Sequence, residues 1–395
     1  MRDRERVLRH VAVAVAIVAL AVIWVRLAVR PSTDLLNHRE FGRRFVEGAF
    51  LYAGGLDYPY LPTWAAVHAP LSFIPAGAVS AVVFPAGVAA LALIVWILRR
   101  VSRDAMPLEP VAGFWVTAAA LTLVARFLIR DLLDGGENLI VMALAWTALW
   151  AWHDGRSRLA PLLLGAAIAL KLTAAIFVAI LVVRRHYWHA AASTMCVALF
   201  VLLPIVRMGG QSYRVHMQRW VDGVAGGLGS GDATIGVLGP EPARNLSLRA
   251  AVGRLSVNDD ATSGRREAAN WIAIGLLALV VALPLVWWRE PPGQIADVAA
   301  WALGGVVAVL VSPITWRAHL VAILPACYLL LRRLAADGRL HAMGVAGLAA
   351  ISVPGLVLTR GVLGQGISDW SDRWSLTTGA LLCLAIGTAT WPTRR

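Results

Sequence analysis

Lysine occurs once in this chain, at position 171, although arginine is frequent enough to bring the basic residues to 36 against 23 acidic ones. Charge of either sign is scarce: 15% of the 395 residues are charged and 59% are hydrophobic, more apolar side chain than a soluble domain can bury. Lipid must serve as part of the solvent. The net charge of +13 would suggest nucleic acid in a soluble protein, but here the arginines stand in short runs between apolar stretches, where they report membrane orientation; nucleic-acid binding is set aside. Three cysteines, Cys196, Cys327 and Cys383, lie singly in apolar sequence, which excludes a disulfide framework and a zinc site. No cluster has metal-ligand spacing, and neither a Walker sequence nor GxSxG occurs, so soluble-nucleotide chemistry has no support and no metal or cofactor is expected. The apolar segment after Arg9 is too long for a cleavable leader and is expected to stay as an anchor.

Apolar stretches fall near 10–29, 76–98, 110–128, 138–152, 187–206, 270–288, 295–312, 316–331, 341–358 and 374–391, with a further one at 159–183 that contains Lys171. An ammonium at mid-membrane costs several kcal/mol unless it faces protein or water. Parity sharpens the point. If 159–183 crosses once, Arg184, Arg185, Arg332, Arg333, Arg339, Arg394 and Arg395 all fall outside, against the positive-inside bias set by Arg2, Arg4, Arg6, Arg9, Arg99, Arg100, Arg103, Arg156 and Arg158. If 159–170 rises and 172–183 returns, every run is cytoplasmic. The sequence therefore predicts an all-α, polytopic integral membrane protein of about 10–12 segments, a single transmembrane domain over 1–395 with both termini inside and Lys171 at the outer apex of a broken pair. All sizeable loops are then extracytoplasmic, notably 30–75, with interfacial helices, and 207–269, whose Gly- and Pro-rich part 223–242 reads as a mobile loop.

The polar residues of those loops carry two readings each. Asp34 follows the first span closely and can act as a general base at the membrane surface, or can cap a short helix running through Phe45. Tyr52, Tyr58 and Tyr60 can line a substrate pocket or form an interfacial belt. Arg126 and Arg130, close to Asp131, Asp134 and the helix start at Gly136-Glu137-Asn138, suit an anionic phosphate or make internal ion pairs. Lys171 reads as a counter-ion for an anionic ligand. His319, placed by the Ser312-Pro313 break and Trp316 at the start of the next helix, suits proton transfer or a structural hydrogen bond. Asn245 is a candidate helix cap, and Arg249, four residues on, could meet phosphate or solvent.

Taken in order, Asp34-Leu35, Phe41-Gly42-Arg43, Leu51-Tyr52, Tyr58-Pro59-Tyr60, Ala69-Pro70-Leu71, Gly136-Glu137-Asn138-Leu139, Gly165 to Lys171-Leu172-Thr173, Asn245 to Arg249, and Ser312-Pro313 through Trp316 to His319 resemble glycosyltransferase family 87 over roughly residues 30–330. That family is a bacterial branch of the C-type glycosyltransferase fold. The resemblance implies transfer of mannose or an arabinofuranose-like sugar from a polyprenyl-phosphate donor to a lipid-linked or cell-envelope glycan acceptor, usually with inversion, at the outer face of the bacterial cytoplasmic membrane. It implies Asp34 and His319 as the catalytic pair, Lys171 on the donor phosphate with Arg126, Arg130 and Arg249 as further candidates, and Tyr58, Tyr60, Glu137, Asn138, Asn245 and Trp316 in the substrate pocket. The competing expectation is a transporter or flippase of a lipid-linked anion, which would also use a broken helix with a buried lysine.

Overall fold

The structure, a computed structural model, describes residues 2–53, 59–229, 231–240, 242, 244–257, 261–287 and 293–390. Helix α1 (Arg2–Val29) leads to α2 (Thr33–Glu47) and the short α3 (Pro62–His68), and α4 (Val79–Ser102) and α5 (Pro110–Asp134) follow. A tight turn joins α5 to α6 (Glu137–His153), after which come α7 (Leu159–Leu170), α8 (Ile176–Val183), α9 (Tyr187–Leu202), α10 (Ile205–Met208) and α11 (Gly210–Leu228). A two-stranded ribbon, β1 (Ile235–Gly236) antiparallel to β2 (Gly239–Pro240), precedes α12 (Leu248–Ser256), α13 (Ser263–Trp287), α14 (Gln294–Val311), α15 (Leu324–Asp337), α16 (Ala342–Ser352), α17 (Arg360–Arg373) and α18 (Leu376–Ala389). The molecule is an all-α polytopic membrane protein. Among the described residues six helical segments are long and apolar enough to cross a bilayer alone, fewer than the sequence suggests, because α6, α7, α8 and α18 are shorter and the pair Ala342–Val357 and Arg360–Arg373 is bent by 107°.

The chain reverses at its lysine. Lys171 leaves the helical region (φ −143°, ψ 107°) between α7 and a 3-10 turn, Leu172–Ala175, that opens into α8. Its ammonium donates to Asn138 at the start of α6. The far end of α8 lies at the opposite end of α6, since His186 packs edge-on against Trp152, with ring centroids 4.2 Å apart, and Arg184 meets Asp297, which is itself 3.6 Å from His153. Because α7 starts only a few residues after His153, α7 and α8 are two half-length helices that begin and end at one face with Lys171 at the other. Gly165 permits the packing of α7 on α9, where a Cβ would sit 2.4 Å from that of Cys196.

The ends of the helices correct several local expectations. The cap of α2 is Ser32, whose hydroxyl accepts from the Leu35 amide, which leaves Asp34 in the first turn. Ser247, with its hydroxyl accepting from the Ala250 amide, caps α12 in place of Asn245. Within the stretch 223–242, residues 223–228 end α11 and residues 235–236 and 239–240 form the ribbon. Two arginines of the runs expected at the cytoplasmic side are also buried and tie elements together: Arg332 donates to the Met106 carbonyl at 2.7 and 2.9 Å and to the Tyr328 hydroxyl at 2.9 Å, and Arg184 pairs with Asp297 at 2.7 Å.

Candidate functional site

The turn between α5 and α6 organises the polar end of the bundle. Gly135 and Gly136 both adopt positive φ, 118° and 73°, and a Cβ on Gly136 would lie 2.7 Å from the Gly87 Cα, so glycine alone allows the turn to settle against α4. Asp131, at the end of α5, accepts from the Asn138 amide at 3.3 Å, the Asn138 side chain at 2.6 Å and the Leu139 amide at 3.1 Å. A carboxylate thus closes the exposed N–H groups that begin α6, where the helix dipole also favours negative charge. With its Nδ2 held by Asp131, Asn138 must turn Oδ1 outward, and Oδ1 takes the Lys171 hydrogen bond. Among the described residues that neutral oxygen is the lysine's one hydrogen-bond partner, and no carboxylate pairs with the ammonium.

Lys171, Asn138, Ser312 and His319 form one end of a cavity of about 60 Å³ whose remaining walls are largely apolar, including Val141, Met142, Ala145, Trp146, Phe177 and Val309. A single water needs about 10–15 Å³ by the same measure, so the space accepts a group of a few heavy atoms. Along α6 the lining runs from Asn138 to Trp146, two helical turns, so the cavity is polar where the helices end and apolar toward the bundle interior. His319 lies in the 3-10 stretch Arg317–Ile323, with Nδ1 3.3 Å from the Trp316 amide and 3.1 Å from the Ile314 carbonyl. Nε2 is left for the cavity. Asn245 fixes that loop from outside: its Oδ1 accepts from the Ser247 and Thr315 amides at 3.1 and 2.9 Å, and its Nδ2 donates to the Pro313 carbonyl at 3.0 Å.

Glu137 does not line this cavity. It is held by two histidines that the sequence reading passed over, with His38 Nε2 at 3.1 Å and His68 Nε2 at 3.3 Å. The Trp64 indole donates to His38 Nδ1 at 3.0 Å, which places the His38 hydrogen on Nε2, toward the carboxylate. His68 Nδ1 lies 2.8 Å from the Trp64 carbonyl, and Tyr60 stacks on Trp64 with centroids 4.4 Å apart. Burial, together with the carboxylates of Glu137, Asp34, Asp131 and Asp134, raises the Tyr60 phenol well above its ordinary range and keeps it neutral. The spacing His38, Trp64, His68 has a legible signal only in part: Trp64 and His68 are one helical turn apart, but nothing in the sequence pairs them with His38.

A second cavity, of about 230 Å³, is lined by Arg26, Arg30, Ser32, Thr33, Asp34, Arg130 and Asp134, among others. Asp34 is exposed there, and Arg130 pairs with Asp134 at 2.7 Å. The structure therefore brings Lys171, Asn138 and His319 together and sets Asp34 in the second cavity, with Asp134 of one lining and Asn138 of the other four residues apart across the turn. Arg126 and Arg249 are elsewhere: Arg126 donates to the Pro354 and Leu358 carbonyls and to Ser368, and Arg249 to Asn270 and the carbonyls of Ile235 and Asp232. Trp316 precedes the 3-10 stretch without lining either cavity, and Tyr58 lies outside the described residues. No group of three or more His, Cys, Asp or Glu side chains able to hold a metal occurs among the described residues.

Fold and site together define a polytopic membrane protein with a half-helix pair that carries a lone ammonium into a cavity polar at one end and apolar at the other. The chain belongs to glycosyltransferase family 87, whose model matches residues 58–313. Lys171, Glu137, Asn138 and Asn245 fall within that match, whereas His319 lies shortly after it and Asp34 well before it. The chain is 29% identical over 273 residues to a polyprenol-phosphate-mannose-dependent alpha-(1-2)-phosphatidylinositol pentamannoside mannosyltransferase of Mycobacterium tuberculosis, covering 68% of this chain and 57% of that protein. It is 27% identical over 344 residues to a polyprenol-phosphate-mannose-dependent alpha-(1-2)-phosphatidylinositol mannoside mannosyltransferase of Mycolicibacterium smegmatis, covering 77% of this chain and 71% of that one. A phosphatidylinositol pentamannoside mannosyltransferase of the same organism is 30% identical over 278 residues, with 60% of its length covered. The match thus spans less than two thirds of two of these three relatives.

Proposed function

We propose that the protein is a membrane glycosyltransferase that transfers a sugar of the mannose class from a polyprenyl-phosphate donor to a lipid-linked acceptor, with inversion at the anomeric carbon. The observation that carries this reading is the cavity at Lys171. A polyprenyl phosphate is an anion on an isoprenoid tail, and the cavity offers an ammonium without a carboxylate partner at one end and apolar walls along two turns of α6 at the other. The acceptor hydroxyl attacks the anomeric carbon as the bond to the phosphate oxygen breaks. Asp34 takes the hydroxyl proton, the polyprenyl phosphate leaves with the electron pair, and Lys171 stabilises the charge that develops on it, with the His319 imidazole as a second donor. The relatives named above supply the expectation of mannose and of a phosphatidylinositol-based acceptor.

The site faces the extracytoplasmic side in this reading, and both termini are cytoplasmic. Support comes from Arg99, Arg100, Arg156, Arg158, Arg184, Arg185, Arg332 and Arg333, which all lie at the end of the bundle opposite Lys171. The test is label transfer by the purified chain from radiolabelled polyprenyl-phosphate mannose to a phosphatidylinositol mannoside. Transfer that is lost in Lys171→Gln and His319→Ala supports the proposal. Movement of labelled lipid between leaflets without any new glycosidic bond would refute it in favour of a flippase.

A further inference from the structure

The cavity at Asp34 has a lining that proton abstraction alone does not require. Arg26, in the last turn of α1, and Arg30, just past its end, stand four residues apart, both exposed, and neither side chain makes a hydrogen bond or ion pair with another described residue. Two like charges at that spacing repel by a few tenths of a kcal/mol unless an anion lies between them. They also stand at the end of the bundle that holds Lys171, opposite Arg99, Arg100, Arg184, Arg185, Arg332 and Arg333. The cavity contains the first residues of α2 as well, and no acceptor is found among the described residues for the Thr33 and Asp34 amides, which point from a fifteen-residue helix start. On the outward side of α1, Val18, Val22 and Arg26 follow one another at four-residue intervals and Arg30 comes just past the helix end, so one stripe is apolar along the span and basic at its end. Val18 and Val22 are 61% and 62% exposed, against no other helix of the chain. A ligand matching that stripe has acyl chains below and a phosphate above. At about 230 Å³ the cavity admits a polar headgroup beside that phosphate.

We propose that this cavity is the acceptor site and that it binds a glycerophospholipid through its phosphodiester, which Arg26, Arg30 and the first amides of α2 hold while the acyl chains lie along α1 and the polyol headgroup presents a hydroxyl to Asp34. Arg130, kept in place by Asp134, closes the far wall. This rests on the transferase reading given above and adds to it the chemistry by which the acceptor is recognised: a phosphate joined to acyl chains, separate from the donor phosphate at Lys171.

The test uses the full chain in phosphatidylcholine nanodiscs with graded phosphatidylinositol mannoside and labelled polyprenyl-phosphate mannose. The double variant Arg26→Gln, Arg30→Gln is expected to raise the acceptor KM about tenfold or more, since each lost charge-assisted hydrogen bond weakens binding by roughly that factor. The donor KM stays unchanged. A soluble inositol mannoside without phosphate or acyl chains is turned over equally by both proteins, and a soluble phosphorylated headgroup without acyl chains keeps the arginine dependence but binds more weakly. An unchanged acceptor KM, a donor KM that rises in parallel, or the same loss in Arg99→Gln, Arg100→Gln at the other end of the bundle would each overturn the proposal. Should the parent chain transfer no sugar, the transferase reading fails, and retention of tritiated phosphatidylinositol by parent and double variant still decides this one: equal retention overturns it.

Discussion

Replacing Lys171 by glutamine should do opposite things to the empty protein and to its activity. In the empty protein the ammonium sits half-buried with a neutral amide oxygen as partner, so it has lost hydration without gaining an ion pair. Glutamine keeps an N–H donor for Asn138 and removes the charge. Thermal stability in detergent should therefore hold or rise. For a bound phosphate at about 4 Å the missing attraction is roughly 4 kcal/mol at an effective dielectric constant near 20, which corresponds to about a thousandfold in kcat/KM. Saturating polyprenyl phosphate should stabilise the parent chain, by about 2.7 kcal/mol at one hundred times its Kd, and should leave Lys171→Gln unaffected. Label transfer and a thermal shift series with and without polyprenyl phosphate read both effects. A variant that melts far below the parent without ligand would refute the reasoning, because it would make Lys171 a structural charge that holds Asp131 and Glu137.

Three further substitutions probe what positions the site. Asp297→Ala removes the carboxylate that pairs with buried Arg184 and so unpins the returning half-helix; destabilisation of about 3–5 kcal/mol is expected by thermal unfolding, and less than about 1 kcal/mol would mean that Arg184 finds other compensation. Gly136→Ala forces a side chain into left-handed backbone at a cost of about 1–2 kcal/mol and presses on the Gly87 Cα, so the α5–α6 turn should shift and transfer should fall even where the protein still folds. Asn245→Ala strips the acceptor from two buried amides and the donor from the Pro313 carbonyl; a loss of about 1–3 kcal/mol is expected, with kcat falling more than donor affinity because the His319 loop is what it holds.

The reversal at Lys171 could be read in the sequence because two independent forces act on it, the cost of an ammonium in hydrocarbon and the parity of the arginine runs, and both ask for the same fold. The place of His319 after the Ser312-Pro313 break was legible for a similar reason: proline just past a helix end cannot continue it, although Pro85 is carried inside α4. Caps were less so. Ser32 competes with Asp34, and Ser247 with Asn245, within two residues of each other, and backbone geometry alone decides which oxygen reaches an amide. The arginines of α5 and α12 looked alike as phosphate ligands because a guanidinium binds carbonyls and phosphates with the same donors. Only the packing shows that Arg126 is engaged by the kinked segment near Pro354 and Arg249 by the ribbon. The His38, Glu137 and His68 cluster joins α2, α3 and α6 across about a hundred residues, and no local pattern encodes such a contact.

That cluster bears on which carboxylate can accept a proton from substrate. Four carboxylates lie within electrostatic reach of Tyr60. Asp131 is taken up by the first N–H groups of α6 and the Asn138 side chain, Asp134 by Arg130, and Glu137 by His38, so each already has a protein partner in place. Asp34 alone of the four makes no hydrogen bond or ion pair to another described residue, and it is exposed within a cavity large enough for an acceptor. Asp34→Asn changes one oxygen to an amide without disturbing the Ser32 cap, so the fold and polyprenyl-phosphate retention should be preserved while transfer falls by about a hundredfold or more, the usual contribution of a general base. Asp134→Asn should instead loosen Arg130 and alter acceptor affinity before turnover. If Asp34→Asn turns over like the parent and Asp134→Asn does not, the proton leaves through the carboxylate already paired with arginine, and the absence of a partner at Asp34 has no bearing on the reaction.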